Sequence, residues 1–287
     1  MKTNSYSWLH VSVFVLKNNW HLAIKGVIQP FIKYHFEKGD FLTYKLTFDH
    51  GSAENISLSL LVPDKKEGVV AQSLDQSLKS FFKEEGFSAI LNSKQNNTLF
   101  MPPLTNSVQY KLCPAFVNPE IKHLQILEQT FSNLMIDVFA EELVDDEMIL
   151  TFSLYILFDC YKLVCATDHS SGDKWQMYYQ HQASYLKTIE FSDQPLQEEI
   201  VSMEAAVNEI YLDISNTVML NDLNWISKWE DVFGKIWEEE YNRNREILFF
   251  SEINLIITQQ LNLNIGYQLL LSTFVNNTIS KHRVSAK

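Results

Sequence analysis

Across residues 41–62 apolar and polar side chains alternate. Leu42, Tyr44, Leu46 and Phe48 face off against Thr43, Lys45 and Thr47, and past a break at Asp49, His50, Gly51 and Ser52 the alternation resumes with Ile56, Leu58 and Leu60 against Ser57 and Ser59. A period of two on both sides of a turn predicts a β-hairpin with one buried face. Its other face carries Thr43, Lys45, Thr47, Ser57 and Ser59, small hydroxyls with one cation, which suits either a solvent face or the floor of a cleft. Upstream, residues 8–16 alternate Leu9, Val11 and Val13 against His10 and Ser12 and should pair with the hairpin. Between these strands, apolar residues from Trp20 to Phe36 recur at helical spacing. Asn18 or Asn19 is the expected N-cap, Pro30 predicts a kink or break at Gln29, and Gly39 ends the helix.

Residues 63–68 read as a loop, and Leu74, Leu78, Phe81 and Phe82 mark a second helix ending at Gly86. A polar loop at 93–98 and an extended turn at 100–103 follow, then a strand over 107–112 that ends near Pro114. From Asn118 the period becomes helical, with a stripe of Ile121, Leu124, Leu127, Phe131, Leu134, Met135 and Val138. Residues 148–166 are nearly all apolar and predict a helix buried on most sides; further helices are expected over 175–187, 198–214, 223–241, 247–261 and 265–279. The fold class is therefore α+β. A sheet-bearing N-terminal lobe, about 1–115, holds a small mixed sheet with helices, and a mainly helical lobe follows, about 116–287.

A chain of 287 residues that is 46% hydrophobic can bury the core of one large domain or two intimate lobes. Its net charge of −12 argues against a nucleic-acid partner. No run approaches the roughly 18 apolar residues of a membrane span, and the N-terminal segment does not read as a signal peptide, so a cytoplasmic location and no membrane partner are expected. Cys160, Cys165, Asp168 and His169 lie close together but match no zinc spacing, and Cys113 stands apart. Buried structural thiols are expected there, and no metal. With no Gly-rich phosphate loop and no Ser, His and Asp set at recognisable spacing, no cofactor is expected either. His10 and His21 flank the first strand and helix, either lining a cleft or satisfied at a boundary. Trp225, Trp229, Phe233 and Trp237 recur every four residues on one helix face, which reads as core packing or as a docking face for a second subunit.

The segments WLHVSVFVL, VIQPFIKYHFEKGD, FLTYKLTFD with NISLSLLV, NPEIKHLQILEQTF and LLLSTFVNN occur in an order that resembles the C-terminal, elimination domain of lantibiotic dehydratases. The same unit is known alone as the thiopeptide-type bacteriocin biosynthesis domain. The resemblance implies work on ribosomally made peptides: eliminating glutamate from glutamylated Ser or Thr, joining two dehydroalanines, or tRNA-dependent peptide extension. Elimination needs cations for the departing carboxylate, best supplied by arginine, and a base near the Cα proton, a role suited to histidine. The implied partners are a precursor peptide and either a separate dehydratase subunit or a second copy of the chain.

The departures from that pattern carry as much information as the match. Where the family typically reads His-Leu-Arg-Leu-Arg, this chain has Asn55, Ile56, Ser57, Leu58 and Ser59. The family's Arg-Tyr-Gly-Gly falls at about Phe116, Val117, Asn118 and Pro119, and its Ser-x-x-His-Met at Ser272 to Asn276, where Val275 replaces the histidine. The only arginines are Arg243, Arg245 and Arg283. Three readings follow. In the first, the chain is a divergent component that binds a precursor peptide or partner dehydratase, through residues such as Thr43, Thr47 and Asn55, with the arginine-dependent elimination site absent. In the second, a peptide-modifying lyase is rebuilt around Lys45, His50, Ser57 and Ser59. In the third, it is an unrelated α+β interaction module.

Overall fold

The computed structural model describes residues 6–50, 53–84, 90–91, 104–114, 122–189, 193–216 and 224–285. The expected loop 93–98, the turn 100–103, the helix end at Gly86 and the segment 116–119 lie outside the described residues. The chain divides into two units, residues 1–145 with 260–262, and residues 146–259 with 263–287.

In the first unit β1 (Tyr6–Phe14) is followed by a 3-10 turn (Lys17–Asn19), α1 (Trp20–Ala23), a π-helical turn (Ile24–Ile28) and α2 (Gln29–Glu37). Asn19 precedes α1 but makes no side-chain cap bond, since the chain is already turning there. The break expected at Gln29 takes the form of the π turn: Pro30 donates no backbone N–H, and a widened turn accommodates that loss without ending the helix. Gly39, at φ +69°, closes α2 in a conformation that costs a side-chain-bearing residue more. Next come β2 (Tyr44–Asp49), β3 (Asn55–Pro63), α3 (Glu67–Glu84), the short strands β4 (Ile90–Leu91) and β5 (Leu104–Thr105), β6 (Ser107–Pro114) and α4 (Lys122–Phe139).

The main sheet has the order β2-β3-β1-β6. All three ladders are antiparallel, so the mixed sheet expected from the sequence narrows to an antiparallel one. Leu9, Val11, Val13, Leu46, Phe48, Ile56, Leu58 and Leu60 line its buried face. Trp20 stacks on Phe48 at 4.6 Å and Phe139 meets the same ring edge-on at 5.2 Å, so α1 and the end of α4 cover that face. The second unit holds α5 (Asp146–Thr167), α6 (His169–Ile189), α7 (Asp193–Ser215), α8 (Asn224–Asn242), α9 (Glu246–Gln260) and α10 (Ile265–Ser285). By length and composition α5 does reach a membrane span, contrary to the sequence reading, but it lies against α6, α7, α8 and α10 with Phe152, Leu154, Ile156, Leu157 and Phe158 buried.

Candidate functional site

Strand register turns the polar half of each alternation into continuous rows. One row crosses all four strands as Lys45, Ser59, His10 and Lys111; the next runs Thr47, Ser57, Ser12 and Gln109. Within them His10 Nδ1 lies 2.7 Å from Ser59 Oγ, and Ser12 Oγ lies 3.2 Å from Ser57 Oγ. Ser57 donates to Asn55 Oδ1 at 2.9 Å, and Asn55 donates to Ala53 O at 2.9 Å and to Asp49 Oδ2 at 3.3 Å. Trp8 stacks beside His10 at 6.3 Å. Burial, aided by the nearby Lys111 charge, lowers the His10 pKa below its usual 6.5, so the imidazole is neutral at pH 7. The face is half-buried and internally hydrogen-bonded, and it combines hydroxyls, one neutral imidazole and an ammonium at either end, Lys45 and Lys111.

The candidates from the first hairpin strand are differently placed. Lys45 Nζ donates to Glu128 Oε1 at 2.7 Å, with both side chains about one-fifth exposed at 23% and 21%. Thr43 Oγ1 donates to Gln129 Oε1 at 2.8 Å, and the Tyr44 hydroxyl bonds Asn133. The Leu46 N–H, on the outer side of β2, donates to Ser132 Oγ at 2.9 Å. Helix α4 thus closes the β2 edge, and the Lys45 ammonium is already held by a carboxylate 83 residues away. His50 does not join Ser57 and Ser59: its ring lies 5.0 Å from Trp20, and Nε2 is 3.0 Å from Leu261 O.

A Ser, His and Asp set that no sequence spacing signals does form. His35 Nδ1 is 2.8 Å from Asp40 Oδ2, and His35 Nε2 is 2.9 Å from Ser73 Oγ. Burial alone would raise the Asp40 carboxyl, but hydrogen bonds from Lys66 and His35 outweigh it and hold it below its usual value. Ser73 lies seven residues into α3, where its own N–H serves the helix and no helix terminus offers donors for an oxyanion. This set ties the end of α2 to α3.

In the second unit Trp229 is 0% and Trp237 1% exposed, and Trp225 rests on Phe152 at 5.7 Å. Trp237 donates from Nε1 to Thr167 Oγ1 at 3.0 Å and stacks on Phe249 and Phe250. The stripe is core packing, and Trp229 and Trp237 offer nothing to a partner. Cys160 is fully buried, and burial pushes its thiol well up; Cys165 packs on Gly172, where an added Cβ would collide with its sulfur. Val275 and Ser272 are both buried in α10. Arg243 and Arg245 bind Glu240, and Arg283 binds Asp173, so all three arginines are engaged outside the sheet-bearing unit.

No protein-family model and no curated protein matches the chain. Solved structures do. Pyridine synthase TbtD, from thiomuracin biosynthesis, superposes with a TM-score of 0.59 at 9% identity over 96% of this chain and 98% of its own. TsrL does so with a TM-score of 0.60 at 10% identity, over 97% and 96%. The chain shares their fold. The tRNA-dependent lantibiotic dehydratase MibB from Microbispora sp. 107891 carries this fold as one part, a match with a TM-score of 0.57 at 9% identity that covers 98% of this chain and 28% of MibB. Identity this low speaks for the architecture alone, and the lantibiotic and thiopeptide resemblance read from the sequence holds at that level.

Proposed function

We propose that the chain is a peptide-binding component of ribosomal-peptide natural-product maturation, acting on a precursor peptide through the polar face of its sheet, without arginine-dependent elimination. The observation that carries this reading is the pair of rows Lys45, Ser59, His10, Lys111 and Thr47, Ser57, Ser12, Gln109. Hydroxyls and a neutral imidazole donate and accept hydrogen bonds, as recognition of peptide groups requires. The positions where the resembled family carries arginine are Ser57 and Ser59, and neither can neutralise a departing carboxylate. The fold shared with thiopeptide and lantibiotic proteins supports the peptide as ligand class.

A second reading, a lyase rebuilt on the same face, is favoured by His10, a neutral imidazole 2.7 Å from Ser59 Oγ and so competent to accept a proton at pH 7. It lacks a carboxylate-holding cation at Lys45, which Glu128 occupies. Co-expression with a dehydratase and its precursor peptide, read by native mass spectrometry and peptide mass, separates the two. A complex, with the same peptide mass whether or not this chain is present, is the expected result. Water loss that depends on this chain and disappears in His10→Gln would replace the binding reading with the lyase; no complex and no mass change would overturn both.

A further inference from the structure

The two edges of the main sheet are not alike. Helix α4 covers the β2 edge and takes up its outward Leu46 N–H. Strand β6 pairs with β1 along its length, from Ser7↔Pro114 to Phe14↔Ser107, and no strand among the described residues pairs with its other side. Gln109, Tyr110, Lys111 and Leu112 are consecutively exposed, Tyr110 at 38% and Leu112 at 55%, so both faces of the strand reach solvent at this edge. A regular open edge presents a row of backbone donors and acceptors that only another extended backbone matches.

We propose that the outer edge of β6 is a docking strand on which an extended peptide adds to the sheet, with apolar side chains beside Tyr110 and Leu112 and an acidic one beside Lys111. This rests on the peptide-binding reading above and names its mode. Register supports the side-chain pattern. Tyr110 continues the apolar row Leu46, Leu58, Val11, and Leu112 continues Tyr44, Leu60, Leu9. Lys111 continues the polar row through His10 and Ser59, in which Lys45 is neutralised by Glu128 and His10 is uncharged. The exposed ammonium therefore selects a carboxylate on that side. A second copy of the chain is the poorer occupant, because β6, SVQYKLCP, has no carboxylate of its own to set beside the other copy's Lys111. A strand docked here places its side chains in line with the hydroxyl rows.

The test is fluorescence anisotropy with a fluorescein-labelled heptapeptide of alternating Val and Glu, together with two forms N-methylated at alternate amides, each blocking one edge of the extended peptide. One methylated form should bind at least ten-fold more weakly and the other like the parent. Lys111→Glu, an exposed change that leaves the fold intact, should weaken the parent by a similar factor. Backbone exchange at Tyr110 and Leu112, whose N–H groups point away from β1, should slow at least ten-fold with peptide bound. Absence of binding, equal binding by both methylated forms, or protection of these amides by self-association without peptide would overturn the proposal. Should Ser12→Ala with Ser57→Ala weaken binding while neither methylation does, edge docking fails and the sheet-face reading survives. Should methylation act on one edge while precursor is not bound in co-expression, edge docking survives and the maturation reading fails.

Discussion

Helix α8 and the polar face of the sheet both offer a regular stripe of one chemistry, yet the fold uses them in opposite ways. The stripe of Trp229, Phe233 and Trp237 is swallowed by its own unit, each ring under 2% exposed. The rows of His10, Ser12, Ser57 and Ser59 remain half open and bond to one another. Periodicity tells which side chains share a face; it does not tell whether the fold covers that face. Large apolar rings find cover because leaving them in water is costly, while hydroxyls lose little by staying partly wet.

The sharpest way to break this contrast is Trp237→Ala. Removing a fully buried indole that stacks on Phe249 and Phe250 should cost about 3–5 kcal/mol in urea unfolding and leave peptide affinity of the folded protein unchanged. Wild-type stability with lost binding would mean that the stripe is a surface after all.

The next effect concerns a polar group caught on the covered side. Asp159, in α5, is 0% exposed; burial first and then the charge of Glu230 push its carboxyl up to about 8. An acid whose pKa is raised from 3.8 by folding leaves the protein most stable below the unfolded value, and stability falls as pH climbs through the window up to about 8. Asp159→Asn removes that titration. The variant should match wild type at pH 4 and gain about 1–3 kcal/mol over it by pH 9 in paired melting curves. Parallel curves at all pH values would show that Asp159 keeps its charge inside the fold.

Much of the fold was legible because its signals are local: the alternation in β1, β2 and β3, the long periodic helices, and the disturbance before Pro30. The same alternation, with its apolar face, also put Ser57 and Ser59 on one surface. Other parts were hidden because they depend on residues far apart in the chain. Only the β1–β3 register brings His10 to Ser59, only α4 brings Glu128 to Lys45, and nothing local links His35 to Ser73. His50 misled because its place in the turn suggested the polar face, whereas the Trp20 ring draws it to the opposite side.

Ser132 sharpens the contrast between the two sheet edges. Its hydroxyl accepts the Leu46 N–H and lies 2.7 Å from Glu128 O and 2.9 Å from Gln260 Oε1, all in a buried setting. Ser132→Ala adds no bulk to this buried site but strands the edge N–H and the Gln260 amide oxygen, at about 1–2 kcal/mol in denaturant unfolding. A neutral result would mean that the β2 edge is as open to water as that of β6.

The smallest effect on stability, and the most informative for the site, comes from Lys45→Met. A partly exposed ion pair contributes at most about 1 kcal/mol, so the melting temperature should move only a few degrees. The electrostatic consequence reaches further, because Glu128 is then left without its cation beside the row of Ser59, His10 and Lys111. An acidic extended peptide should bind several-fold more weakly and a neutral one of the same length should be unaffected, with the difference fading in 0.5 M salt as charges are screened over roughly a few ångströms. Equal weakening of both peptides would instead place the Lys45 side chain itself against the bound backbone, and the hairpin's first strand would then share the role argued for β6.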